Sequence, residues 1–461
     1  YEYDSNHRIV SITDPNDGTT QYTYDPVGNL VTKAFPNGVV DSMVYDAMNR
    51  LVRTTTRDPN GAILQDIHID HDRLGNVIGK TYSSGRIDHF LYDANQRLVR
   101  EAIDDPVLGE RSVEYVYDAA GNRIKRVDSV SGTSVYTYDA DDRLLQISGA
   151  ENQTFGYDAN GNLLSVVSSG GDHTEYGWDS RNRLVQADVT KSDQTTSVRY
   201  VYDDAGNRVA RIADGQEARF LIDPARQLAQ PLEEYSSTGE LQVRYTYGDA
   251  VIGQIRDGEA GYYHIDQVGT VLGVSDSTGA LVNEYAFDAF GELLSETESQ
   301  ENRIRFTGEY TDNTTGLVYL RARHMDPRLA RFLSTDPADG DPNDPFSYHR
   351  YVYAKNSPEM FTDPTGKVSL VEVAFATALV GTLFSLTQGV IGQAYNSVRE
   401  TVDWSGRMFT GTVDPTLGGD KILSGGFFGS AFGGQVNVFE TENGPLFDGP
   451  GSPPYSNHVK G

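Results

Sequence analysis

The residues best equipped to do chemistry in this sequence are carboxylates. Two Asp-Pro steps, Asp336-Pro337 and Asp363-Pro364, bracket a stretch that also holds Asp339, Asp341 and Asp344. So many acids in so short a span repel one another unless some are protonated, paired or solvated. Two carboxyls brought close share a proton, one serving as base toward water and the other as acid toward an amide. Peptide hydrolysis at neutral pH needs both roles. Cysteine is absent, so no thiolate could act as nucleophile, and no disulfide framework or thiolate metal site is available. The competing reading is that Asp and Pro are turn formers, which a loop-rich segment would contain anyway. His264 poses a smaller version of the same choice. It is a metal ligand or a base, or else a packed, hydrogen-bonded strand residue, which the alternation beside Tyr262 favours.

Such residues need a frame, and the sequence supplies one by repetition. A string of the form aromatic-x-Tyr-Asp-x-x-Gly/Asn-Asn/Arg-Arg/Leu-apolar recurs at intervals of roughly 20 residues. Examples are YTYDPVGNLV from Tyr22, FLYDANQRLV from Phe90, YVYDAAGNRI from Tyr115 and YGWDSRNRLV from Tyr176. The aromatic before the Asp falls at Tyr3, Tyr24, Tyr45, Tyr92, Tyr117, Tyr138, Tyr157, Trp178 and Tyr202; in the degenerate copy IDHDRLGNVI, His71 takes its place. Alternating aromatics put two rings on one face of a strand. The Asp bonds back to backbone amides, and Gly or Asn tolerates positive φ, so a turn follows. Each copy is therefore a β-hairpin that cannot bury its own face, and successive copies must pair edge to edge.

Composition agrees. The chain has 461 residues, more than one ordinary core organises, and its 28 tyrosines and 47 glycines suit strands joined by turns. The formal charge of -28 argues against a nucleic-acid-binding surface on the repeats. No basic-then-apolar leader opens the chain, which starts inside a repeat, so we read it as a fragment or processed piece of something longer.

The repeated strings resemble the YD repeats of the RHS family, found in bacterial polymorphic toxins, in the C component of insecticidal toxin complexes and in animal teneurins. The resemblance covers residues 1–367, and it implies an all-β fold: hairpins coiled into a hollow shell, closed by a C-terminal core plug. The expected layout is a hairpin array over 1–212 and continuing shell strands over 213–300. A repeat-associated core, plug and autoprotease together, occupies 301–367, and a variable segment occupies 368–461. Residues 301–367 are similar to the family's core pattern of F-x-G, GL-x-Y-x-x-AR-x-YDP-x-x-GRF-x-x-DP and DPxGL. That resemblance implies aspartyl self-cleavage just after the last motif. Carried over by position, Asp336 and Asp363 are the catalytic pair and Arg331, in Ala330-Arg331-Phe332, is the arginine of GRF that holds a carboxylate ionised. The cut falls between Lys367 and Val368. Lys367 stands where the family carries Leu, Ala330 where it carries Gly, and His324-Met325 where Tyr-Tyr is common. An ammonium in a leucine pocket would have to snorkel or pair.

Composition changes at Val368. Residues 368–395 contain one charge, Glu372, and are long enough to span a bilayer as a helix; a buried or shell-held helix is the competing reading. A Gly-rich tail follows, in which no nuclease, deaminase or transferase constellation is evident and no phosphate loop is formed. No cofactor and no metal are expected. The expected partners are the chain's own C-terminal segment as enclosed cargo, a secretion-system or toxin-complex component, an immunity protein and a membrane contacted through 368–395. The expected location is secreted or cell-surface, with a role in bacterial competition. The alternative function is a cell-surface or adhesion scaffold of teneurin or wall-associated type, without cleavage.

Overall fold

Each copy of the repeat folds as its turn chemistry dictates. At Asp25 one carboxylate oxygen accepts from the N–H groups of Val27, Gly28 and Asn29 (3.0, 2.8 and 2.8 Å), and the other accepts from Asn29 Nδ2 (2.9 Å). Where the fifth residue is Arg it makes the same closure: Arg50 Nε reaches Asp46 and Arg97 Nε reaches Asp93, each at 2.7 Å. The fourth residue takes positive φ, as the turn requires: 106° at Gly28, 60° at Asn49 and 61° at Gln96. Strand alternation then follows the prediction, with Tyr22, Tyr115, Tyr136 and Tyr200 buried and the residue after each exposed.

The Tyr of each Tyr-Asp pair ties its hairpin to the preceding one. Its hydroxyl donates to the carbonyl at the start of the earlier returning strand: Tyr24 to Ile9, Tyr92 to Val77, Tyr117 to Leu98 and Tyr202 to Leu184, all at 2.7–2.8 Å. Trp178 does the same with its indole N–H to Leu163 (2.7 Å). His71, the substitute in the degenerate copy, places Nε2 2.9 Å from the carbonyl of Leu51.

The structure is a computed structural model that describes residues 1–14, 18–224, 228–248, 250–340 and 344–367, with the strands Leu370–Val371, Asn437–Thr441 and Gly444–Asp448. The chain divides into two compact units, Tyr1–Leu386 and Thr387–Gly461. In the second, Asn437–Thr441 and Gly444–Asp448 form an antiparallel hairpin. In the first, 28 strands from Glu2–Tyr3 to Leu293–Glu298 form one sheet among the described residues. Each strand pairs antiparallel with its neighbours in sequence, and the sheet continues without a break across residue 212.

The sheet coils into a shell, so that its late strands lie against its early ones. Side chains join the two passes. Lys33 Nζ meets the carbonyl of Tyr263 (3.4 Å), Asn37 Nδ2 that of Asp276 (2.7 Å) and Arg86 Nη2 that of Phe287 (2.8 Å). Glu101 accepts from the N–H of Ala289 (2.8 Å). A cavity of about 750 Å³ remains between these passes, lined by Lys80, Arg86, Glu101, Asp266, Asp288 and Glu359 among others.

Residues 301–367 plug the shell. Four of their short strands, Tyr310–Thr311, Val318–Leu320, Arg323–Asp326 and Arg331–Phe332, form a separate sheet. The wall's inward aromatics receive the plug: Leu317, Leu329 and Leu333 pack among Tyr136, Phe155, Tyr176 and Tyr200, and Ile304 and Tyr310 among Phe220, Tyr245 and Tyr285. Polar pins fix its orientation. Arg211 grips Asp312 (2.6 Å), Arg123 donates to the carbonyl of Leu329 (2.5 Å) and Tyr351 to that of Gly161 (2.8 Å).

The predicted helix over 368–395 lies outside the described residues except at Leu370–Val371. That pair is a strand, antiparallel to Phe361–Thr362, because the plug offers it a free edge. No described helix is long and apolar enough to cross a membrane. The Gly-rich tail lies outside the described residues apart from the hairpin of the second unit.

Candidate functional site

Asp363 opens the last turn of the plug. The N–H of Gly366 donates to its carbonyl (3.1 Å), while the N–H of Lys367 and the hydroxyl of Thr365 both donate to its Oδ1 (3.0 Å each). The acid therefore holds the amide of the residue on the acyl side of the predicted cut. Gly366 is needed in this turn: its φ is 66°, and a Cβ there would collide with the carbonyl oxygen of Leu320 and come within 2.9 Å of the nitrogen of Arg323.

Asp336 reaches the same spot from the other Asp-Pro step. Its N–H donates to the carbonyl of Arg350 (2.9 Å), and its Oδ1 accepts from Ala338 (2.8 Å). Arg323 joins the two acids: its Nη2 lies 2.7 Å from Asp336 Oδ2 and 3.2 Å from Asp363 Oδ2. Arg323 also donates through Nε to the carbonyl of Gly366 and through Nη1 to that of Arg350 (3.1 Å), and it lies over the ring of Phe332 at 3.5 Å. The side chains of Arg323 and Asp363 are each 2% exposed and that of Asp336 14%, so the cluster is shielded while Asp336 keeps some contact with solvent.

Burial pushes the Asp336 carboxyl above its ordinary value; Arg323 opposes the rise and Asp363 adds to it. Burial also pulls Arg323 down, against the attraction of the two acids. Asp363 accepts on both oxygens, from Lys367 and Thr365 on one and from Arg323 on the other, as a carboxylate does. The arrangement thus places a hydrogen-bonded carboxylate and a second carboxyl, whose hold on a proton burial strengthens, at one place beside the amide of Lys367.

The structure brings Asp336 and Asp363 together and does not bring Arg331 to them. Arg331 Nη2 donates to the carbonyl of Asp142 (2.6 Å), and its guanidinium lies between the rings of Tyr138 and Tyr351 at 5.2 and 4.9 Å. It pins plug to wall, and the arginine between the acids is Arg323. The resemblance carried the carboxylate-holding role to Arg331 through its match to the arginine of GRF, whereas the side chain found between the acids is that of Arg323. The usable signal was burial: Arg323 alternates with Met325 on a short strand, and an arginine on a core strand needs an acid partner. Of the neighbouring acids, Asp344 pairs with Lys355 (2.7 Å) and Asp339 is exposed, while Asp341 lies outside the described residues. The side chain of Lys367 is exposed, and Val368 lies outside the described residues.

The buried histidines among the described residues serve structure. His264 is buried with Nδ1 2.9 Å from Asp41 and Nε2 2.9 Å from Ser275, a link between the early and late passes of the wall. His324 is lowered to about 3 by burial and by Arg208, and His349 to about 4 by burial and by Arg331, so both stay neutral. Among the described residues no group of three or more His, Asp or Glu side chains is arranged to hold a metal ion.

Comparison with known proteins adds to this picture. A family model described as Teneurin YD-shell matches residues 102–358, and one described as RHS Repeat matches 3–40 and 24–63. The tRNA3(Ser)-specific nuclease WapA of Bacillus spizizenii is 31% identical over 369 residues, 78% of this chain and 15% of that protein. Toxin protein Tse5 of Pseudomonas aeruginosa is 26% identical over 339 residues, 56% of this chain and 25% of that protein. Among solved structures, the Photorhabdus luminescens Tc holotoxin pore aligns at 18% identity with a TM-score of 0.42, over 78% of this chain and 22% of that one. The chain thus spans 15% to 25% of the length of these curated relatives.

Proposed function

The chain belongs to the RHS and teneurin YD-shell family, and from that premise we propose that it is the wall and stopper of a toxin shell that cuts its own backbone between Lys367 and Val368. The observation that carries this reading is the convergence of Asp336 and Asp363 on one nitrogen of Arg323, with Asp363 gripping the amide of Lys367.

The chemistry follows from the positions. A water oxygen attacks the carbonyl carbon of Lys367 as its proton passes to the Asp363 carboxylate. The proton retained by Asp336 goes to the nitrogen of Val368, and the C–N bond breaks. The products are a carboxyl group on Lys367 and a new amino terminus on Val368. Arg323 acts as a positioning residue: it keeps the acids on one point and holds the carbonyl of Gly366. The segment beyond the cut is the cargo, enclosed until release. Because relatives are named as a tRNA nuclease and a toxin, we read that segment as the carrier of a toxic activity in competition between bacteria. Its partners on this reading are a secretion-system or toxin-complex component and a cognate immunity protein, and its place is outside the producing cell or on its surface.

Intact-mass analysis of the purified chain tests the proposal. A fragment beginning at Val368 is expected, and it disappears in Asp336→Asn and Asp363→Asn. A wild-type chain that stays whole overturns it. Enclosure is tested separately: residues 368–461 should resist added protease until the shell is denatured, and rapid native digestion refutes it. The match to the teneurin shell favours a second reading, a cell-surface scaffold that remains uncut, and the same mass measurement separates the two.

A further inference from the structure

Three successive carbonyls lead up to Lys367, and three successive residues of one hairpin take them in order. The carbonyl of Pro364 accepts from Arg321 Nη1, that of Thr365 from the N–H of Ala322 (3.3 Å) and that of Gly366 from Arg323 Nε. Arg321 and Ala322 form the tip between strands Val318–Leu320 and Arg323–Asp326, and Arg323 opens the second strand. Arg321 occupies the tip with a φ of 60°, a conformation uncommon for a side chain of its bulk. Its guanidinium is itself fixed, by Glu309 Oε1 at 2.8 Å and the carbonyl of Ala229 at 2.9 Å. A planar fork held by a carboxylate and a carbonyl leaves one N–H aimed at Pro364 with little freedom. The side chain of Lys367 contrasts with this. It is exposed, and no hydrogen bond or ion pair engages its ammonium among the described residues.

Resting on the self-cleavage reading above, we infer that Arg321 sets the register of the cut by holding backbone, so that the residue before the scissile bond is selected by its place in the chain. The grip extends over Pro364, Thr365 and Gly366, and Asp363 adds the N–H of Lys367. Four backbone groups are thereby fixed before any side chain at position 367 is consulted. This accounts for a lysine where the family carries leucine: its ammonium stays in solvent and carries no desolvation penalty. An error of about 1 Å in placing a reacting group costs on the order of 100-fold in rate, so loss of one of these holds should be visible.

The test is a time course of self-cleavage during cell-free synthesis of the full chain, read by intact mass and by the sequence of the new amino terminus. Lys367→Leu and Lys367→Glu are expected to cut at the wild-type rate before Val368. Arg321→Ala is expected to slow cutting by roughly 100-fold. Arg321→Lys can pair with Glu309 but lacks the fork; it is expected to cut more slowly and to give additional termini beside Val368. That spread of termini is a readout that general loss of stability does not produce. If Lys367→Glu stops the reaction, or if Arg321→Lys cuts at the wild-type rate and solely before Val368, the inference is wrong while self-cleavage stands. A wild-type chain that never cuts overturns the self-cleavage reading and this inference with it.

Discussion

Two turns of this chain carry nearly the same five residues: Asp25-Pro26-Val27-Gly28-Asn29 in the wall and Asp363-Pro364-Thr365-Gly366-Lys367 in the plug. In both, the glycine N–H donates to the Asp carbonyl at 3.1 Å and the glycine has positive φ. In both, Asp Oδ1 accepts the fifth residue's N–H, at 2.8 and 3.0 Å. They part at the second oxygen. Asp25 spends Oδ2 on the side chain of Asn29, within its own turn, whereas Asp363 turns Oδ2 outward to Arg323, which also holds Asp336. The lesson is that the motif itself is a turn former. A fifth residue able to reach back closes the carboxylate off, and one whose side chain leaves for solvent frees an oxygen for other work.

That contrast can be broken in several places. Asp363→Asn retains the acceptor for Lys367 but has no charge to take a proton, so self-cleavage should fall by at least about 100-fold, as loss of a general base does. Asp25→Asn should leave cutting intact and lower the melting temperature by only a few degrees, as expected for about 1 kcal/mol. Mass spectrometry and thermal unfolding of both variants give the comparison. Arg323→Lys sharpens it, because a point charge cannot hold two acids and the carbonyl of Gly366 at once; cutting should be lost, again by mass analysis.

Alanine at the two glycines comes next in size. Gly28→Ala meets nothing nearer than Arg8 Nη1 at 3.7 Å, so its cost is the left-handed backbone alone, about 1–2 kcal/mol by denaturant unfolding. Gly366→Ala adds collisions with Leu320 and Arg323 and should cost more stability and slow the cut.

One acid of the plug, Asp336, and one of the wall, Asp128, shift in opposite directions. Asp336 is raised by burial, so its proton is present below its folded value and lost as pH rises through it; the cutting rate should decline on the alkaline side. In the wall, burial would raise Asp128, but the hydrogen bond and charge of Arg111, with Arg126, bring it down to about 2. Its contribution to stability is therefore full above the ordinary carboxylate value and is lost as pH falls toward 2, which acid unfolding of wild type and Asp128→Asn would show. Arg331→Leu is expected to cost about 1–2 kcal/mol of stability from its ring and carbonyl contacts, with cleavage unchanged.

The wall was legible because its rule is local. Asp, a left-handed residue and alternating aromatics specify a hairpin within about ten residues, and even His71 could be placed as the Tyr substitute. Past Arg211 the spacing loosens but the same turn chemistry continues, so the strands to Leu293–Glu298 were readable as well. The two acids were legible as motifs. Their partner was not, since Arg323 becomes the bridge only when a hairpin folds back over a turn 40 residues away in sequence. Arg331 was misplaced for the same reason: its contacts, at Asp142, Tyr138 and Tyr351, are made across the plug–wall boundary, which no spacing rule encodes.

The wiring of the wall has a consequence for how it is made and unmade. Every rung joins strands adjacent in the sequence, so each hairpin can settle onto the last as the chain emerges, without waiting for distant segments. Only the rivets between passes, such as His264 to Asp41 and Arg86 to Phe287, demand that one end of the strip find the other. Apolar contacts between the passes, such as Phe35 against Tyr262, accompany them. A pulling force at one terminus would therefore peel the strip in steps of a single hairpin once they give way, and the wall could pass as an extended strand through an opening far narrower than its folded form.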